Sequence, residues 1–473
     1  MSYEVAIIGA GFAGLGAAIK LQQAGIDNVV ILEKGTRVGG TWRDNRYPGA
    51  ACDIPSELYS YSFAPKADWS RVYSGADEIL AYIEGLVDRY GLAGKIAFDR
   101  TVTAMAFDEA TARWTITTKQ GEAVTAQSVI VASGPFSGGK VPGFDGLDRY
   151  QGHIIHSADW DHDYDFKGKR VAVIGTGASA VQIIPELVKK ADHVTVFQRT
   201  PGWVLPKPNP RNTALVKRLF GRDVQFWLHE AMAMGIVWPS PLTRLLENQA
   251  RAHLKRQVRD PWMRRQLTPD YRIGCKRVLM SSDYYRALAK DHCKLVTWPI
   301  VRFGTEGIVT ASGVEYTADC VVMATGFEVG LRGLPYAVKG PGNRDLENDW
   351  AGRPQAYKGV SVEGYPNLYL TFGPNSGPGH NSALVYMEAQ LDYIAGAIGA
   401  LKHSGLNHLS VRESRQSRYN RDIQKRLART NWASGCKSWY LSDDGFNAAM
   451  YPGFATQYQR EVGRFKMKDY EGA

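Results

Sequence analysis

Two glycine-rich turns built on one plan constrain this chain more than anything else in it. The first is Gly9-Ala-Gly11-Phe-Ala-Gly14, and the second is Gly175-Thr176-Gly177-Ala178-Ser179-Ala180. Each follows a short apolar run, residues 4–8 and 171–174, of the kind a buried parallel strand requires. Each opens a helical pattern that leads to a second apolar run, residues 28–32 and 193–198. Small residues in such a turn let backbone amides at the positive end of a helix approach a pyrophosphate closely. One turn of this kind is weak evidence. Strand, turn, helix and strand in register, found twice, predict two nucleotide-binding halves.

The residue that ends each second strand separates the two ligands. Gly9 to Glu33 spans 24 residues, and Gly175 to Arg199 spans the same 24. Glu33 can accept hydrogen bonds from an unphosphorylated ribose, whereas Arg199, followed by Thr200, can hold a 2′-phosphate through paired charge-assisted bonds. The first half therefore reads as an FAD site and the second as an NADPH site. The expected fold class is α/β, with two Rossmann-like dinucleotide-binding domains and a helical insertion. The FAD domain is expected over 1–149 and 329–473, the NADP domain over 150–205 and 275–328, and the insertion over 206–274.

A chain of 473 residues exceeds what one core supports, in keeping with that division. Hydrophobic content of 44% and charged content of 22% suit a soluble protein. No apolar run approaches the eighteen or so residues of a membrane span, and with Glu4 and a glycine-rich turn at the apolar N-terminus no signal peptide is expected. The five cysteines are scattered without a CxxC pair, which leads to the expectation of reduced thiols in a cytoplasm. Within the FAD half, residues 101–107 and 113–118 alternate as a β-meander. A strand over 128–132 then returns to the first sheet, with the Val102 backbone set against the adenine.

Three further stretches carry chemistry. They are Gly39-Gly-Thr41-Trp42 through Asp53, Tyr150-x-Gly-x-x-x-His156-x-x-x-Trp160-Asp, and Gly274-Cys-Lys276-Arg277. Taken alone, Asp53 could cap a turn and a Lys-Arg pair could sit on any surface. Together their spacing resembles the fingerprints of the Baeyer–Villiger monooxygenases, with Tyr150 where that family usually carries Phe. The likeness is nearest to the hydroxyacetophenone monooxygenase branch and covers nearly the whole chain. It implies that Thr41, Trp42 and Tyr59 lie against the flavin. It also implies that Asp53 faces the nicotinamide and a catalytic arginine, and that Lys276 adds a second cation to the 2′-phosphate. Arg277 would sit over the flavin, while His156 and Trp160 would form a hinge-like domain junction. His153, His156 and His162 stand among aspartates, but no helix fixes their spacing, so no metal site is expected.

The resemblance implies that NADPH reduces FAD and that an anionic peroxide formed from O2 attacks a ketone carbonyl, giving an ester or lactone. Such an anion needs a fixed cation in a dry site, and an arginine stays protonated there; Arg277 and Asp53 are thus the expected catalytic pair. Two alternatives remain open. One is a flavin monooxygenase that oxidises nitrogen or sulfur; the other is a non-oxygenating, NADPH-sensing flavoprotein. A disulfide reductase shares the two-nucleotide plan but needs a cysteine pair beside the flavin, which the spacing of the cysteines does not supply.

Residues 206–274 hold thirteen Lys/Arg against five Asp/Glu, a net of +8. No nucleic-acid-binding signature accompanies them. The expectation is a solvated helical cover for the active site whose aromatics and methionines are core, with transient membrane contact left open. Gly373 to Ser382 precedes an apolar helix, and backbone amides there suit the electron-rich end of a flavin.

Overall fold

The computed structural model describes residues 2–329, 333–436, 438–442 and 444–473. Lys437 and Asp443 of the C-terminal stretch lie outside the described residues. Strand β1 (Ser2–Ile8) leads through the first glycine turn into helix α1 (Phe12–Gln23) and on to β2 (Val29–Leu32). Val5 pairs in parallel with Val29, and all four residues of β2 are buried, as a sheet covered on both faces demands. Further along come β3 (Ile96–Ala97), β4 (Val102–Asp108), β5 (Arg113–Thr118) and β6 (Ala123–Val131).

The meander and the returning strand differ from expectation. β6 begins five residues early; Ala126 pairs antiparallel with Trp114 of β5, while Ile130 pairs in parallel with Ile7 of β1. One nine-residue strand thus closes the meander and completes the parallel sheet. The alternation in its first half hid this, because one face there is only half-covered.

The second set opens with β7 (His153–His156) and β8 (Arg170–Ile174), then helix α2 (Ala180–Val188) and β9 (His193–Phe197). Four insertion helices follow: α3 (Ala214–Leu219), α4 (Arg222–Ile236), α5 (Pro241–Gln257) and α6 (Pro261–Gln266). α6 starts where it does because Pro261 has no amide to lose and the Asp260 carboxylate accepts from the Trp262 and Met263 amides at 3.0 Å. The chain then adds β10 (Cys293–Val296) and β11 (Cys320–Met323) to the second sheet. It finally gives β12 (Ala337–Lys339), β13 (Leu368–Leu370), α7 (Ala383–Ser404) and α8 (Ala455–Val462).

The first sheet runs β12-β4-β5-β6-β1-β2-β3, with β13 also against β6. The second runs β10-β9-β8-β11-β7 and is parallel throughout. Both glycine turns therefore sit at the C-terminal edge of a parallel sheet, where ligands of such folds bind.

Two expectations about the thiols and the insertion are corrected. Cys275 and Cys436 form a disulfide, with Cα atoms 6.2 Å apart across 161 residues of sequence, so five reduced thiols is wrong. The bridge joins the residue before Lys276 to the C-terminal stretch. In the insertion, Trp227 and Met234 are 63% and 49% exposed rather than core, although Phe226, Met232 and Trp238 do pack inward. Cys436→Ser is expected to lower stability by about 2–4 kcal/mol, because the bridge no longer restricts a long loop of the unfolded chain. Earlier thermal melting of the variant, matched by wild type in dithiothreitol, checks this.

Candidate active site

The first glycine of each turn is placed alike. Gly9 has φ +105°, and a Cβ there would lie 2.6 Å from the Ala132 carbonyl oxygen; Gly175 has φ +118°, with Ala324 oxygen at 2.3 Å. In both, the glycine lets the turn pass under the next strand of the sheet. Gly14 packs α1 on the turn itself, 1.8 Å from Gly9 oxygen for a hypothetical Cβ. By contrast, nothing stands within 4 Å of a Cβ on Gly177, so that side of the second turn opens to a ligand. Neither Gly11 nor Ser179, the residues preceding α1 and α2, places a side-chain cap on its helix. The first amides of both helices are left for an external acceptor. Ala178 lies within the second of these turns.

Glu33 ends β2 with its carboxylate buried. Oε2 accepts from the Ala10 amide at 2.7 Å, and Oε1 accepts from the Gly35 amide at 2.8 Å and Arg43 Nη1 at 2.7 Å. A carboxylate offers about four acceptor positions, so Oε2 retains one for a ribose hydroxyl. The Glu33 carbonyl also accepts from Arg100, two residues before Val102 begins β4, which brings Val102 to the same corner. In the second half, Thr176 Oγ1 donates to the Thr200 carbonyl at 3.2 Å. Burial first, then the nearby Arg199 charge, lowers the Lys276 pKa. Two cations 77 positions apart in sequence thus come close enough to influence one another.

Between the turns, Asp53 meets Arg277. Arg277 Nε donates to Oδ2 at 3.0 Å, and Nη2 donates to both oxygens at 2.7 and 2.6 Å. Arg277 remains 47% exposed and Asp53 22%, so the pair is open to a ligand on one side. Burial acts to raise the Asp53 pKa, but the Arg277 charge and hydrogen bonds outweigh it and the carboxyl is held below its ordinary value. The Arg277 pKa goes up, chiefly through Asp53. Next to them Trp42 Nε1 donates to the Tyr59 hydroxyl at 3.2 Å, their rings 5.7 Å apart and edge to face. Thr41 starts the short helix that carries Trp42.

Several residues of this cleft carried no sequence signal. The Cys52 thiol is pushed up to about 12, mainly by burial and next by Asp53, so it is a neutral group. Lys207, at the start of the insertion, is close enough to Cys52 and Asp53 to be influenced by both, and its ammonium lies 5.1 Å over the Tyr73 ring. Buried Tyr440 faces Arg277 from the C-terminal stretch. Gln182 of α2 donates to the Ala51 carbonyl at 2.9 Å and accepts from the Tyr47 hydroxyl at 3.1 Å. That clamp fixes the Asp53 loop on the second nucleotide half. A lone Lys, Tyr or Gln has no pattern from which to foresee it.

His156 lies where the chain crosses between the sheets. A Cβ on Gly139 would strike its ring at 2.2 Å, and Phe327 meets it edge to face at 6.5 Å. Trp160 is buried and stacks on Phe166 at 5.7 Å. Tyr150 donates its hydroxyl to the Ala318 carbonyl at 2.8 Å, which accounts for a tyrosine at that buried position. Among the described residues no group of three His, Cys, Asp or Glu side chains could hold a metal.

The loop before α7 is tied to the insertion by a buried pair. Glu230 of α4 accepts from His380 Nε2 at 3.1 Å, Asn381 at 3.2 Å and the Ala455 amide at 2.8 Å. Burial acts to raise the Glu230 pKa, yet the His380 bond and the amides at the start of α8 bring it down to about 2. A lowered folded pKa contributes stability above the ordinary value near 4.5 and loses it as pH falls through about 2. The difference in melting temperature between wild type and Glu230→Gln is therefore expected to be full at pH 7 and to narrow below about pH 4.5.

Residues 6–219 match the family described as pyridine nucleotide-disulphide oxidoreductase. A Baeyer–Villiger monooxygenase of Streptomyces coelicolor is 41% identical, the match covering 99% of this chain and 92% of that protein. The chain belongs to the Baeyer–Villiger monooxygenases. A second member, from Pseudomonas aeruginosa, is also 41% identical over 99% of this chain and 91% of its own. Among solved structures, oxidised steroid monooxygenase bound to NADP superposes with TM-score 0.89 at 31% identity, over 100% of this chain and 99% of that one. OTEMO in complex with FAD and NADP gives 0.90 at 27%, with the same coverage. This monooxygenase uses FAD and NADPH. Its uncapped helix ends, the spare Glu33 acceptor and the paired cations Arg199 and Lys276 fit those two groups.

Proposed function

We propose that this monooxygenase inserts one oxygen atom from O2 beside a ketone carbonyl, giving an ester or lactone. Residues 1–149 and 329–473 would hold FAD, 150–205 and 275–328 would hold NADPH, and 206–274 would cover the cleft. The bound flavin supplies hydride acceptance and oxygen activation. The chain supplies position and charge.

The observation that carries the reading is the Arg277–Asp53 pair set between the two glycine turns. Asp53 engages Nε and Nη2, and Nη1 makes no hydrogen bond among the described residues. The guanidinium is thus held in one orientation and keeps 47% of its side chain exposed, so it can stabilise negative charge on a reacting oxygen. Because an arginine does not titrate, it cannot quench that charge by giving up a proton. Asp53 moderates the same cation while hydride arrives from the nicotinamide. Trp42 and Tyr59 wall the cleft, and Lys276 with Arg199 anchors the far end of NADPH. His156 and Trp160, at the crossing between the sheets, are placed to govern movement of one nucleotide half against the other.

Labelling with ¹⁸O2 tests the proposal. One heavy atom is expected in an ester or lactone from a panel of cyclic and aryl ketones. Label confined to sulfoxide or N-oxide, with none in ester, would replace this reading with heteroatom oxidation.

A further inference from the structure

Helix α4 is amphipathic in the wrong sense for water. Two of its polar groups point inward: Glu230 is buried against His380, and buried Gln225 donates to the Phe220 carbonyl. Its outer face carries Val224, Trp227, Leu228, Ala231 and Met234, all exposed. These positions recur at helical spacing and form one stripe. Leu219 and Phe220, at the end of α3, are 54% and 49% exposed and extend it. Among the described residues, seven of the seventeen strongly exposed large apolar side chains fall between Leu215 and Met234. Such concentration marks an interaction surface rather than scatter.

We propose that this face docks on an anionic lipid surface. Charge selects that occupant. Arg211 and Arg218 border the stripe in sequence and are exposed, whereas the Lys217 ammonium donates to the Ala67 carbonyl. From 206 to 240 the acids are only Asp223 and Glu230, and Glu230 is already engaged inside. A second copy of the chain meeting this face across a two-fold axis would set a basic rim against itself. An anionic bilayer supplies the opposite charge and accepts tryptophan and leucine at its headgroup boundary. No helix among the described residues is long and apolar enough to cross a membrane, so α4, fifteen residues long, would lie in the surface plane. Its inner face bonds the loop before α7, which sets the lipid one helix away from the candidate active site.

The test is sedimentation of the FAD-loaded protein with vesicles. Binding is expected to phosphatidylglycerol–phosphatidylcholine mixtures and not to phosphatidylcholine alone, weakening as salt is raised, with a blue shift of tryptophan emission. The double variant Trp227→Ser with Leu228→Ser should lower binding at least tenfold, and Arg218→Glu should lower it too. Both should keep the wild-type melting temperature and rate of NADPH oxidation. Absence of binding to anionic vesicles overturns the proposal, as does undiminished binding by the double variant. Dissociation of a dimer by the double variant, without vesicle binding by wild type, assigns the face to a second copy instead. None of these outcomes depends on which substrate is oxygenated.

Discussion

Arg277→Ala is expected to leave NADPH oxidation running while ester formation falls by about 100- to 1,000-fold, the cost of removing one preorganised charge from a reacting oxygen. The two activities separate because they ask different things of the cleft. Hydride transfer needs the nicotinamide held in place, which the contacts proposed for Arg199, Lys276 and the second turn would supply without the Arg277 side chain. Oxygen insertion needs a cation at the reacting atom. The electrons should then appear as hydrogen peroxide, counted per NADPH beside the ester by mass spectrometry. Arg277→Lys retains a charge but cannot span both Asp53 oxygens in the fork seen here, so partial loss is expected. Removing Arg277 also strands Asp53, whose carboxyl is held down chiefly by Arg277 against the opposing effect of burial. Asp53→Asn combined with Arg277→Ala therefore separates a lost cation from a stranded anion: the double variant should be no more active than the single. Ester formation undiminished in Arg277→Ala would remove this residue from the chemistry.

Arg199→Ala is expected to raise the Michaelis constant for NADPH far more than that for NADH. A hydrogen bond to a charged group contributes about 1.5–3 kcal/mol, roughly 10- to 150-fold in binding. Burial first, and the Arg199 charge after it, lowers the Lys276 pKa, so the two cations are close enough for one to act on the other. The two should therefore not act additively: in Arg199→Ala the lysine is relieved and keeps part of the phosphate contact. Steady-state constants for both nucleotides, in both single variants and the double, check this. Equal losses for NADPH and NADH would mean that Arg199 does not face the 2′-phosphate.

The sequence by itself determined the parts whose cause is local. A glycine turn between a strand and a helix is enforced by sterics within six residues, and the acid or arginine ending the next strand is placed by fixed helix and strand lengths. Hence both turns, both second strands and the assignment of FAD and NADPH were legible. The fingerprint stretches named Asp53 and Arg277 as well, although only through likeness to a family.

Only the tertiary structure brought those two side chains within hydrogen-bonding distance, since 224 residues separate them and no local rule sets their approach. The same is true of Gln182 on Ala51, of Lys207 and Tyr440 at the cleft, and of the Cys275–Cys436 bridge. The insertion shows the limit most plainly. Its basic composition suggested a solvated surface, yet the buried Glu230 bonds fix the rotation of α4 and turn Trp227 and Leu228 outward. Which face of a helix meets the protein depends on partners elsewhere in the chain, and for α4 a few buried polar bonds outweigh the apolar stripe.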